Sequence, residues 1–164
     1  MMDDTYEPRK EKESLCFLIL GFKKQQQDYT IIGWQICYSY DNKITRKIVC
    51  WSSNERCCLA SLIHELLWCS IHNTSVVTYR TIDMPALRTR LLVNNITTLD
   101  FRQLQCACLQ QLVKNFFFLP EEIQNLSITS LADAMKINTR DVISVELLRE
   151  LFIQIQPLLP TEVV

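Results

Sequence analysis

The sequence predicts an α/β layer protein, with one mixed sheet opened by an antiparallel three-strand meander and flanked by helices. Three observations carry this. Residues 15–23 are apolar through Phe22 and are followed by Lys24 and three glutamines, as expected of a central buried strand. Two further runs rich in Ile, Tyr, Trp and Thr, residues 29–40 and 44–51, are separated only by Asp41-Asn42-Lys43. Asp and Asn tolerate positive φ and make local side-chain bonds, so that triplet reads as a turn between antiparallel strands. Beyond it the pattern changes to helical spacing and then alternates between strand and helix.

Each later element has its own signal. Ser52-Ser53-Asn54 supplies N-cap residues, and Leu59, Leu62, Ile63, Leu66 and Leu67 recur at helical spacing, so residues 54–69 read as a helix on the sheet. Residues 76–79 are a short β-branched strand and 84–92 a helix. Residues 97–99 read as a brief strand or loop, and 101–113 as helical. Phe116-Phe117-Phe118-Leu119-Pro120 breaks that helix. Ser127 to Ser130 caps a short helix through Met135, and Thr139-Arg140-Asp141 starts a last helix that ends before Pro157. Residues 1–14, polar and charged, read as a disordered tail, 15–157 as a single domain and 158–164 as a short C-terminal tail.

Composition narrows the function classes. With 164 residues, 48% hydrophobic and 21% charged, the chain is sized for one ordinary core. A net charge of −1 gives no bulk attraction to phosphate backbones, so nucleic-acid affinity needs a local patch. Only two glycines occur, which excludes phosphate-cradling loops. The start Met1-Met2-Asp3-Asp4 is too polar for a secretory signal, and the longest apolar run is too short to span a bilayer. Reduced thiols and a nuclear or cytoplasmic location are therefore expected, and the sequons at Asn73, Asn95 and Asn125 carry no weight without secretion.

The eight cysteines form no Cys-x-x-Cys pair. Cys106 and Cys108 fall in the run read as helical, where they point to different faces, and structural zinc favours tight-loop pairs. Core thiols are expected in preference to a zinc site, and no metal or cofactor is expected. His64 lies on a largely apolar helix and His72 in a polar loop. Neither adjoins a Ser or Cys nucleophile with an orienting acid, so no triad is indicated.

The segment Ser75-Val-Val-Thr-Tyr-Arg-Thr-Ile-Asp83-Met-Pro-Ala-Leu-Arg-Thr-Arg90 runs from strand through a turn to a single Asp that opens an amphipathic helix. It resembles the second motif of the DEDD-type 3′–5′ exonucleases. Leu99-Asp100-Phe-Arg-Gln-Leu104 resembles the strand-to-helix step that follows in that family. Leu126-Ser-Ile-Thr-Ser-Leu-Ala132, with the stretch from Asp141 to Leu151, resembles the helical hairpin ending in its third motif. The resemblance covers about residues 15–155 and implies a ribonuclease-H-like mixed sheet. It also implies a site in which four carboxylates hold two divalent metals.

The chain departs from that pattern where the chemistry lies. The opening strand Leu15-Cys-Phe-Leu-Ile-Leu-Gly-Phe22 lacks the family's Asp-x-Glu pair. No His or Tyr stands between Thr139 and Phe152, so the usual general base is absent, and Arg80-Thr81 replaces the usual Asn or Gly of the second-motif turn. Asp83, Asp141 and Glu146 are the possible remnants of a catalytic set. Asp28 lies in a polar turn. The plain reading of Asp83 is a helix N-cap before Met84-Pro85, worth roughly 0.5–2 kcal/mol.

The expectation is therefore a catalytically inactive exonuclease-like domain acting as a protein-interaction module, in a nucleic-acid-processing or RNA-silencing assembly. Phe116, Phe117 and Phe118 are the candidate partner contacts, because three consecutive aromatics cannot all enter one core. Arg80, Arg88 and Arg90 are the candidate contacts to single-stranded RNA or DNA. The competing expectation is a divergent metal-dependent nuclease using Asp83, Glu146 and one of Asp141 or Asp100. A third is a zinc-stabilised domain. The apolar stripe Leu147, Leu148, Leu151, Phe152 and Ile155 reads mainly as core.

Overall fold

The computed structural model describes residues 14–118, 127–137 and 144–160. Five strands form one mixed sheet in the order β3-β2-β1-β4-β5. β1 (Leu15–Gln25), β2 (Asp28–Tyr40) and β3 (Lys43–Trp51) make the antiparallel meander, with β4 (Ser75–Thr78) and β5 (Cys106–Cys108) added parallel to β1. The two-residue turn into β3 places Asp41 and Asn42 at φ 53° and 62°, a mirror-image geometry that matches the strand twist.

β1 is apolar throughout because both its faces are covered. Cys16, Leu18 and Leu20 join a first core under α1 (Glu55–Ile71) and α2 (Asp83–Val93). Phe17, with Ile19 packed beside it, joins a second core under α3 (Leu109–Phe116), α4 (Ile128–Ala134) and α5 (Val145–Ile155). Phe17 meets Phe152 of α5 edge to face, with centroids 5.6 Å apart. Asn54 caps α1 by accepting the Cys57 amide at 3.1 Å, as the Ser52-Ser53-Asn54 signal predicts.

Two expectations need correction. Residues 97–99 are loop, one of the two readings given for them; the fifth strand is Cys106–Cys108, inside the run read as one helix. Leu104 is buried in the first core and Leu109 in the second, so the chain must cross from one side of the sheet to the other between them. A strand beside β4 makes that crossing and pairs the backbone groups on the outer edge of β4. The last helix, α5, begins at Val145 and is capped by Ser144, whose hydroxyl accepts the Leu147 amide. Thr139-Arg140-Asp141, the expected start, lie outside the described residues. Core packing also passes the expected domain end, since Leu159 is buried in the second core. Among the described residues no helix is long and apolar enough to cross a membrane.

Candidate functional site

The carboxyl end of β4 leads through a short turn into α2, and this is where Asp83 sits. It is the first helical residue and is not the cap, because Ile82 occupies the cap position without a side-chain bond. The Asp83 side chain is 4% exposed. Its Oδ2 accepts the Arg80 amide at 3.1 Å, while Oδ1 takes Arg80 Nε at 3.0 Å and Nη2 at 2.9 Å. The Arg80 guanidinium also lies over the Phe22 ring at 5.3 Å. Burial pushes the Asp83 carboxyl above its ordinary range, with Arg80 opposing. The expected cap is thus an internal ion pair closing the turn that precedes the helix.

From Phe17 to Gly21 the strand face toward α5 carries no acid. Its rows are Phe17, Cys37 and Lys47, then Ile19, Gln35 and Val49, then Gly21, Gly33 and Trp51. The chain's two glycines stand side by side in the last row, and the Trp51 ring lies across both. A Cβ on Gly33 would come within 2.0 Å of Trp51 Cε3, and one on Gly21 within 2.8 Å of Cζ3. The glycines therefore form a floor for the indole, whose residue remains 58% exposed.

Glu146 lies in the first turn of α5 and pairs with Lys47 on the outermost strand of the meander. Burial raises its pKa, but Lys47, the Glu146 backbone amide and the Ser144 hydroxyl together hold the carboxyl below its usual range. Asp83 follows β4 and Glu146 answers β3, with β1 and β2 between those strands, so the fold does not bring the two together. Asp100 caps a short 3₁₀ turn, Phe101–Gln103, and is held by Arg102 through its amide at 2.9 Å and its guanidinium at 3.0 Å. Asp141 lies outside the described residues. Among the described residues no group of three or more His, Cys, Asp or Glu side chains is placed to hold a metal. The eight thiols are free: Cys16, Cys37, Cys58 and Cys69 are buried, and Cys57 and Cys106 are exposed.

The three arginines are not an open group. Arg90 binds Glu55 of α1 through Nε at 2.8 Å and Nη2 at 2.6 Å, with Asp28 at 3.5 Å. Arg88 lies over the Phe101 ring at 5.0 Å. Arg80 is held by Asp83. Of the three phenylalanines offered as contacts, Phe117 packs against the second core, whereas Phe116 is 46% exposed and Phe118 is 99% exposed. His72 stacks on Trp68 and its Nδ1 contacts the Trp68 carbonyl at 2.9 Å. His64 lines a surface groove of about 340 Å³ with Arg56 and Ile96.

Sequence reasoning missed two features. Glu55 joins α1, α2 and β2, and its only local signal is a Glu in the first turn of a helix. Trp51 on its glycine floor had a better signal, since an isolated Gly inside a strand marks a close approach. No family model matches this chain, and no curated protein matches it.

Proposed function

We propose that the chain is a catalytically inactive, exonuclease-like domain on a ribonuclease-H-like sheet, serving as a protein-interaction module in a nucleic-acid-processing assembly. The sheet order, with an antiparallel meander and two strands parallel to β1, is compatible with that frame. The observation that carries the reading is the closure of Asp83 on Arg80 beside a β1 face of Phe17, Ile19 and Gly21. Holding two divalent ions requires several free carboxylate oxygens. Here the acid at the end of β4 is neutralised within its own turn, and the strand beside it offers none.

The binding element in this reading is the aromatic end of α3. Phe117 anchors the segment in the second core and leaves Phe116 and Phe118 in solvent. Exposed aromatics on an anchored segment fit a protein pocket, where such side chains supply most of the binding energy. Because Arg80 and Arg90 already hold carboxylates, the observations favour a protein over a nucleic-acid strand.

The test has two arms on the full chain. Single-stranded RNA and DNA oligonucleotides are incubated with Mg²⁺ or Mn²⁺, and native complexes are captured with and without nuclease treatment. The reading expects intact oligonucleotides, and a partner that survives nuclease and is lost with Phe116→Ser/Phe118→Ser. Metal-dependent hydrolysis abolished by Asp83→Ala, or capture of nuclease-sensitive material alone, overturns it.

A further inference from the structure

We propose that Trp51, Gln35 and Lys23 form a site for an unpaired base of a single-stranded nucleic acid, on the α5 side of the sheet. The Trp51 indole lies across Gly33 and Gly21, where Cε3, Cζ3 and Cη2 fill the space of two absent side chains. One side of the ring is thus backed by main chain, and the residue is still 58% exposed. Among the described residues no other ring or cation lies over the indole. An uncovered aromatic plane seated on paired strands is what a second planar group needs for stacking.

The strand register decides what borders that plane. Side chains two positions apart on a strand share a face and stand about 7 Å apart. Gln35 follows Gly33 in this way on β2, one row toward Phe17. Lys23 follows Gly21 on β1, one row the other way, with Thr30 opposite it. A group stacked on the indole therefore has an amide at one edge and an ammonium and a hydroxyl at the other. Gln35 is partly exposed and Lys23 exposed, and among the described residues neither side chain has a hydrogen-bond or ion-pair partner. Asp28, at the start of β2, contacts Arg90 at 3.5 Å.

These neighbours select among the groups that stack. A cation from a partner protein would meet Lys23 and, in the rows from Phe17 to Gly21, no acid, so cation–π docking is opposed. An apolar aromatic side chain would cover the Gln35 amide and leave it without a partner. A nucleotide uses all three residues: its base face on the indole, its hydrogen-bonding edge on the Gln35 amide and its phosphate on Lys23. The base must be unpaired, because a base inside a duplex is stacked on both faces. With one stack, one phosphate contact and a net charge of −1, the expected dissociation constant is about 10⁻⁴–10⁻⁵ M. The site uses none of Phe116, Phe118, Arg80, Arg88 or Arg90, so it stands or falls apart from the reading above.

The experiment is fluorescence anisotropy of short labelled RNA and DNA strands, single and annealed, titrated with the full chain at low salt. Trp51→Ala, Trp51→Phe and Lys23→Glu are run beside the wild type, with far-UV circular dichroism as the check on folding. Single strands should bind at least roughly tenfold tighter than the duplex. Trp51→Ala should weaken that binding roughly tenfold or more, with much of the loss recovered in Trp51→Phe, which keeps an aromatic plane. Lys23→Glu should weaken it and flatten its salt dependence. If Trp51→Ala fails to fold, Lys23→Glu and Gln35→Ala decide. Absence of wild-type binding up to high micromolar protein, equal binding of the duplex, or single-strand binding indifferent to the folded variants overturns the proposal.

Discussion

Arg90 and Glu55 meet as two planar groups, Nε to Oε2 at 2.8 Å and Nη2 to Oε1 at 2.6 Å, with each side chain 12% exposed. The same carboxylate accepts the Ile31 amide at 2.7 Å and Asn94 Nδ2 at 3.0 Å. One acid on α1 thereby fixes α2 and β2, and the geometry is the bidentate one that Arg makes and Lys does not.

Glu55→Ala should therefore be among the most damaging single changes in the fold. It leaves a mostly buried guanidinium and a strand amide without their acceptor, at a cost of about 3–5 kcal/mol. Urea unfolding is the check, with the midpoint falling at constant slope. Arg90→Lys should lose a smaller part, since a point charge recovers only one of the two contacts.

Acid titration of stability should separate Glu55 from Asp83 by sign. Burial raises the Glu55 pKa, but Arg90, Asn94 and the Ile31 amide together hold it below 4.5. Its contribution is full above that value and is lost as pH falls through the lower native pKa. Asp83 is the reverse: burial lifts its native pKa above 3.8, so its own titration favours the folded state as pH drops through that raised value. Glu55→Gln should flatten the loss of stability below about pH 5. Asp83→Asn should remove a gain and make the acid loss steeper; a change in the same direction for both variants contradicts this assignment.

Asp83→Ala should cost about 1–3 kcal/mol, because the Arg80 amide and guanidinium lose their part-buried acceptor. Asp83→Asn keeps a side-chain oxygen there and should cost less. Added Mg²⁺ should leave the wild-type melting temperature unchanged, since the carboxylate is already held by Arg80. A metal-dependent rise lost in Asp83→Asn would show that the ion pair opens to admit a cation.

The three phenylalanines should divide in stability as they do in exposure. Phe118→Ser removes a side chain that touches little and should fall within about 0.5 kcal/mol of wild type. Phe117→Ala withdraws a ring packed on the second core and should cost about 1–3 kcal/mol. Equal effects on chemical denaturation would mean that the segment packs as a unit, which would remove Phe118 as a free contact.

What the sequence reveals here follows the range of the forces involved. The meander and α1 are legible because their periods are long and their turn chemistry is local: Asp41 and Asn42 take the positive φ that their side chains allow. β5 is not legible, since three residues carry no period and Cys106–Cys108 is a strand only because β4 lies alongside. Asp83 is visible as an acid opening a helix, yet no local rule says that Arg80 will fold back on it. The Glu55–Arg90 pair spans 35 positions, and its two ends read separately as an ordinary first-turn acid and a surface arginine.

Trp51 and Gly33 supply the clearest test of packing. In an ordinary strand Gly→Ala is favourable by roughly 0.5–1 kcal/mol, because Ala loses less backbone freedom on folding. At Gly33 the added methyl would lie 2.0 Å from the indole, so the ring must leave its floor. Gly33→Ala should destabilise by about 1–3 kcal/mol, the range for overpacking, with Gly21→Ala milder at its 2.8 Å contact. The decisive comparison is the double variant Gly33→Ala/Trp51→Ala. With the ring absent the methyl has room, so the pair should be more stable than the sum of the single changes predicts, by more than about 0.5 kcal/mol. Simple additivity would mean that Trp51 already moves freely above the sheet and that the glycines serve some other contact.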